Sequence, residues 1–130
     1  MVQIDIISNM MSAIRNAEAV RKSEVIIYPS SKFAIQILKL LKQEGYIEDF
    51  QVINDGRGNK LRILLNGSIN DCKAIKPRFP VSRDSIHEYV RQYLPSREIG
   101  ILIISTSKGI KTHKECIEEN IGGVLVAYVY

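Results

Sequence analysis

The sequence predicts an α+β protein made of two small α+β domains, residues 1–70 and 71–130, the first an αβαββ unit and the second mainly β with one short helix. Three observations lead to this reading. In the first half, segments with apolar residues at helical spacing alternate with short strand-like runs. Near the C-terminus, two aliphatic runs, residues 100–104 and 124–130, flank a capping-box motif. A shift in charge, with Pro77 and Pro80, places a boundary between about residues 67 and 80.

Asp5 is the expected N-cap of a helix reaching about Ala19, along which Ile6, Ile7, Met10, Met11 and Ile14 recur at helical spacing. After a polar exit, residues 24–28 read as a strand closed by Pro29. Ser30 and Ser31 open a second helix, residues 32–44, with Phe33, Ile37, Leu38, Leu40 and Leu41 on its apolar side and Gly45 where a left-handed residue is wanted. Residues 46–53 and 60–66 are strand-like, and Asn54-Asp-Gly-Arg-Gly-Asn59 between them has the composition of a hairpin loop. Ser82 is a candidate cap for a short helix through Tyr93, which Pro95 ends. The unbroken aliphatic run 100–104 reads as a buried strand, with residues 124–130 as its partner. Thr112-His-Lys-Glu115 has the spacing in which the Thr hydroxyl accepts from the Glu backbone N–H while the Glu side chain reaches back. A helix over 113–119 follows, ended by Asn120 and Gly122. Residues 105–111 are then a loop between strand and helix, and Gly122-Gly123 permit a close approach that a Cβ would block.

A length of 130 residues, 45% hydrophobic and 25% charged, excludes a disordered tail or a collagen-like repeat. A secretory leader and a membrane-spanning run are not expected, so the chain is expected to remain soluble where it is made. Cys72 and Cys116 form no CxxC and are expected as reduced structural thiols. The net charge of +4 favours a polyanionic partner, and the excess is concentrated early: residues 1–80 hold twelve basic and eight acidic residues, residues 81–130 six of each.

Ser105-Thr-Ser-Lys108 spells S-x-x-K, a nucleophile signature, but the serine follows a strand and no S-D-N or K-T-G element accompanies it. An acyl-transfer enzyme using Ser105 and Lys108 is therefore only the alternative function. Gly56 and Gly58 lie in a hairpin rather than a phosphate loop. His113 and Cys116 make too few ligands for a metal, and His113 is expected to be solvated and Cys116 semi-buried. Ser30, Ser31 and Lys32 at a helix start suit either a cap or a phosphate contact. Arg15, Arg21, Lys22, Arg57 and Lys60 suit either a solvated face or a polyanion.

Taken together, Ala13-Ile-Arg-Asn-Ala17, Pro29-Ser-Ser-Lys-Phe33, Glu44-Gly-Tyr-Ile47, Ile104-Ser-Thr-Ser-Lys-Gly109, Gly122-Gly123 and Ala127-Tyr-Val-Tyr130 resemble the universal family of small-subunit ribosomal protein number eight over nearly the whole chain. Asp71-Cys-Lys-Ala-Ile-Lys-Pro-Arg-Phe-Pro80 and Tyr93-Leu-Pro-Ser-Arg97 are closer to its archaeal and eukaryotic branch. The resemblance implies a non-enzymatic constituent of the cytoplasmic ribosome, with no cofactor, membrane or small-molecule substrate. It implies direct binding to the central domain of small-subunit ribosomal RNA beside other small-subunit proteins. The implied C-terminal site is Ser105, Thr106, Ser107, Lys108 and Gly109 with Gly122 and Gly123, directed at an irregular RNA helix. The implied N-terminal contacts are polar and basic: Arg15, Asn16, Ser31, Lys32 and Lys60. Val124 replaces a glutamate common in bacterial members, and Lys111 and Cys116 stand where methionine and alanine are common. Short hydroxyl side chains and bare backbone suit the shallow minor groove of A-form RNA, which displays 2′-hydroxyls and base edges.

Overall fold

The computed structural model describes residues 6–28, 31–54, 56, 59–75, 78–96 and 98–130. The expected N-cap Asp5, the strand-closing Pro29, Ser30, Arg57, Gly58 and the breaking Pro77 lie outside the described residues. The chain divides into two compact units, Met1–Asn70 and Asp71–Tyr130.

In the first unit, helices α1 (Ile6–Ala19) and α2 (Lys32–Gln43) alternate with strand β1 (Glu24–Ile27) and precede the hairpin strands β2 (Asp49–Ile53) and β3 (Lys60–Leu64). The helical spacing of Ile7, Met10, Met11, Ile14 and Ala17 gives α1 a single buried stripe, and Ala34, Ile37, Leu38, Leu40 and Leu41 do the same for α2. Each fully buried aliphatic side chain contributes roughly 1.5 to 3 kcal/mol of transfer free energy. The sheet is antiparallel in the order β1-β3-β2. Its register sets Ile27 beside Leu61 and Val25 beside Ile63, so Ile27, Leu61 and Ile63 share the buried face. Ser31 caps α2, its Oγ accepting from the Ala34 backbone N–H at 3.1 Å, and Gly45 takes the left-handed φ of 81° after the helix.

The second unit holds β4 (Cys72–Ala74), β5 (Pro80–Val81), α3 (Ile86–Tyr93), β6 (Ile101–Thr106), β7 (Gly109–Thr112), α4 (His113–Glu119) and β8 (Gly123–Val129). Strand β8 is the organiser, with β6 along one edge and β4 and β5 at opposite ends of the other. Between Ile103 and Ile104 the β6–β8 register skips Val126, a bulge that accentuates the local twist near the end of β6. Ile86 and Val90 of α3, Cys116 of α4, and Leu102, Ile104 and Leu125 of the sheet close one core.

Three local expectations change. The stretch 105–111 is not a loop: β6 and β7 form a hairpin in which Thr106 opposes Gly109 and only Ser107 and Lys108 turn. Ser82 does not cap α3, because the preceding residue is Ser85; Ser82 instead donates to the Ser85 hydroxyl at 3.0 Å in a short turn. The proline-containing connection contributes β4 and β5, whose pairing with distant β8 leaves no local periodicity. By contrast, α4 has the expected bounds and a complete capping box, with the Glu115 N–H donating to Thr112 Oγ1 at 3.2 Å and Asn120 in the left-handed region.

Removing that cap strands a helix-terminal donor beside the hairpin. Thr112→Ala is expected to lower stability by about 1 kcal/mol, read as the urea midpoint, and Thr112→Ser to retain most of it.

Candidate nucleic-acid interface

The β6–β7 hairpin is locked by one hydroxyl and offers another. Thr106 Oγ1 donates to the Gly109 carbonyl at 2.6 Å and accepts from the Lys108 backbone N–H at 3.1 Å, so its hydrogen-bonding capacity is largely used within the turn. Gly109 adopts a φ of 109°, a value that L side chains rarely take, and the space where its Cβ would lie is open. Ser107 is exposed at the tip, and its hydroxyl makes no hydrogen bond to another described residue. Ser105 lies half-buried within β6, opposite Ile110 and Val124.

Gly122 and Gly123 serve the protein's own chain. A Cβ on Gly122 would come within 2.5 Å of the Val81 carbonyl oxygen, at the end of β5. A Cβ on Gly123 would collide with the Ser105 carbonyl oxygen and approach Ile104 Cγ2 to 2.8 Å. Both glycines thus let β8 start against β5 and the end of β6. Their effect on the hairpin is positional, and any side chain at Gly123 displaces β6.

Charge at the hairpin is internally paired. Lys111 Nζ lies 2.9 Å from Glu119 Oε2 and 3.8 Å from Glu115 Oε2, and Lys108 Nζ lies 3.9 Å from Glu119 Oε1. The hydrogen bond to Glu119 raises the Lys111 pKa, and the same bond lowers that of Glu119, so both stay ionised at neutral pH. This tether is only partly legible in the sequence: the Lys111/Glu115 spacing of four residues is its local signature, whereas the Glu119 contact needs the hairpin to fold back on α4.

The expected solvated His113 is corrected: it is 3% exposed. The ladder between β6 and β7 ends at Ile103 and Thr112, and where the chain turns into α4 the His113 Nδ1 takes over as acceptor for the Leu102 N–H at 3.1 Å. Burial, reinforced by Lys114 and His87, lowers its pKa to about 4. Cys116 is fully buried rather than semi-buried, and burial raises its thiol pKa. Cys72 is likewise buried and free. Among the described residues, no group of three or more His, Cys, Asp or Glu side chains is placed to hold a metal, and no helix is long and apolar enough to cross a membrane.

The remaining candidates belong to the first unit. Arg15 and Asn16 are adjacent on the exposed side of α1, Lys32 is the exposed first residue of α2 after its cap Ser31, and Lys60 is exposed at the start of β3. The charge contrast between the two halves also needs correction. Divided at Asn70 and Asp71, each unit carries nine basic and seven acidic residues, because Lys73, Lys76 and Arg78 fall in the second.

These features define a class: a small two-unit α+β protein whose exposed element is a braced, hydroxyl-tipped hairpin with its lysines ion-paired. The chain belongs to the ribosomal protein S8 family, whose sequence profile matches residues 5–130. It is similar to small ribosomal subunit protein uS8 of Aeropyrum pernix, at 48% identity. The proteins of the same name from Caldivirga maquilingensis and Desulfurococcus amylolyticus are each 46% identical to it. All three alignments cover the whole of both chains, which makes this a member of archaeal type. The family is structural and non-enzymatic, which overturns the acyl-transfer alternative on Ser105 and Lys108. The geometry agrees, since Ser105 sits inside a strand and the Lys108 ammonium leans towards a carboxylate.

His113 gives stability a defined pH dependence. Its folded pKa of about 4 lies below the ordinary 6.5, so the unfolded chain binds the extra proton between those values. Its contribution is full above about pH 6.5 and is lost as pH falls towards 4. The difference in urea midpoint between the native protein and His113→Asn, whose Oδ1 can replace Nδ1 as acceptor, is expected to shift in favour of the variant across that window.

Proposed function

We propose that the chain is a structural constituent of the small ribosomal subunit that binds the central domain of its ribosomal RNA and supports subunit assembly and translation. Its place of action is the cytoplasmic ribosome, among other small-subunit proteins. The unit Asp71–Tyr130 is the RNA-recognition domain, and Met1–Asn70 adds backbone contacts.

The observation that carries this is the hairpin tip. Thr106 fixes the turn from within, leaving the Ser107 hydroxyl and the bare backbone of Gly109 facing outward. A rigid donor and acceptor of this size can approach 2′-hydroxyls and base edges in a shallow groove, where a long cation would instead seek phosphate. Ser105 and Thr106 shape the edge, Lys108 places a carboxylate-paired cation beside it, and Gly122 and Gly123 hold the edge in register. In the first unit, Ser31 accepts the cap bond from Ala34 and keeps its O–H to donate. Lys32 beside it, Arg15 with Asn16, and Lys60 provide sequence-independent attraction to the RNA backbone.

Gel-shift titration of a central-domain RNA fragment tests the reading. Ser107→Ala is expected to weaken binding by about 1 kcal/mol, roughly fivefold, with an unchanged salt slope. Lys32→Ala is expected to flatten the slope of log affinity against log salt by up to about one unit. Wild-type affinity in Ser107→Ala would remove the hairpin from the site.

A further inference from the structure

Helix α4 breaks a local electrostatic rule beside the hairpin. The C-terminal end of a helix carries partial negative charge and favours cations, yet α4 ends in Glu118-Glu119, with no basic residue in its last turn. Glu119 is instead compensated from outside the helix. It binds Lys111 of β7 at 2.9 Å and reaches Lys108 of the turn at 3.9 Å.

The two lysines are held differently. Lys111 has 19% of its side-chain surface exposed, and it also has Glu115 within 3.8 Å. Lys108 is 61% exposed and only loosely engaged. Long exposed ion pairs of this kind are worth little to stability. The carboxylate nevertheless competes with any phosphate for the Lys108 ammonium.

We propose that Glu119 is a specificity-determining residue of the RNA interface. By withholding Lys108 from phosphate, it weakens binding to any RNA that does not also satisfy the Ser107 edge. This rests on the RNA-binding reading above and adds a residue that acts by suppressing the wrong partner, a recognised route to specificity. Regular duplex RNA offers phosphates without the matching groove shape, so it bears the full cost of displacing Glu119. The cognate fragment engages the Ser107 edge with the Lys108–Glu119 pair left in place, so it does not bear that cost.

The test compares binding of the full chain to the central-domain fragment and to a regular RNA duplex of equal length, across a salt series. Glu119→Gln is expected to tighten duplex binding by about twofold to fivefold and to change fragment binding less, so the fragment-to-duplex preference falls. The duplex salt slope is expected to steepen by up to about one unit, the signature of one newly available cation. Glu119→Gln/Lys108→Ala is expected to return duplex affinity and slope to near the wild-type values. Thermal melting reports whether each variant folds as the wild type does. Unchanged duplex affinity and slope in a folded Glu119→Gln variant would overturn the proposal, as would an effect that persists without Lys108. A wild-type chain with no preference for the fragment would instead overturn the RNA-binding reading itself, and the proposal with it.

Discussion

The second unit depends on a contact that no side chain could make. Strand β8 begins with Gly123 against the carbonyl of Ser105, while Gly122 lies against the carbonyl of Val81. Without a Cβ at either position, β8 can lie between β5 and the end of β6. That places β6 so that its last residues continue into the β7 hairpin, and it sets α4 where Glu119 meets both hairpin lysines. The hairpin's exposed chemistry is a consequence of this packing.

Around that seam, polar groups complete the backbone where regular structure ends. Thr106 braces the turn, Thr112 and Glu115 cap α4 reciprocally, and the His113 imidazole accepts from Leu102 where β7 stops. Each satisfies a main-chain group that would otherwise be left open near the edge. The hairpin is therefore held from its tip, its base and its flanking helix.

Sequence made the locally encoded features legible. The capping box fixed α4, the apolar stripes fixed α1 and α2, and the aliphatic runs located β6 and β8, because each signal is contained in its own segment. The misses share a non-local cause. Gly109-Ile-Lys-Thr112 is too short to show a strand periodicity of its own and becomes a strand by pairing with β6. Strands β4 and β5 are three and two residues long, and they exist through β8. His113 is polar by type, and its burial goes with the contact between α4 and β6, where it accepts from the Leu102 N–H. The contrast in charge between the halves depended on where the chain was cut. Of the candidate site, residues 105–109 come together on one hairpin, but their division into bracing Thr106 and outward-facing Ser107 needed the turn geometry.

Amide NMR of the labelled protein, titrated with the central-domain RNA fragment and separately with a regular duplex, locates the interface directly. The fragment is expected to shift or broaden the resonances of residues 105–109 selectively, while the duplex leaves them largely unmoved. Perturbation confined to the first unit, or identical patterns with both RNAs, would contradict recognition by the hairpin.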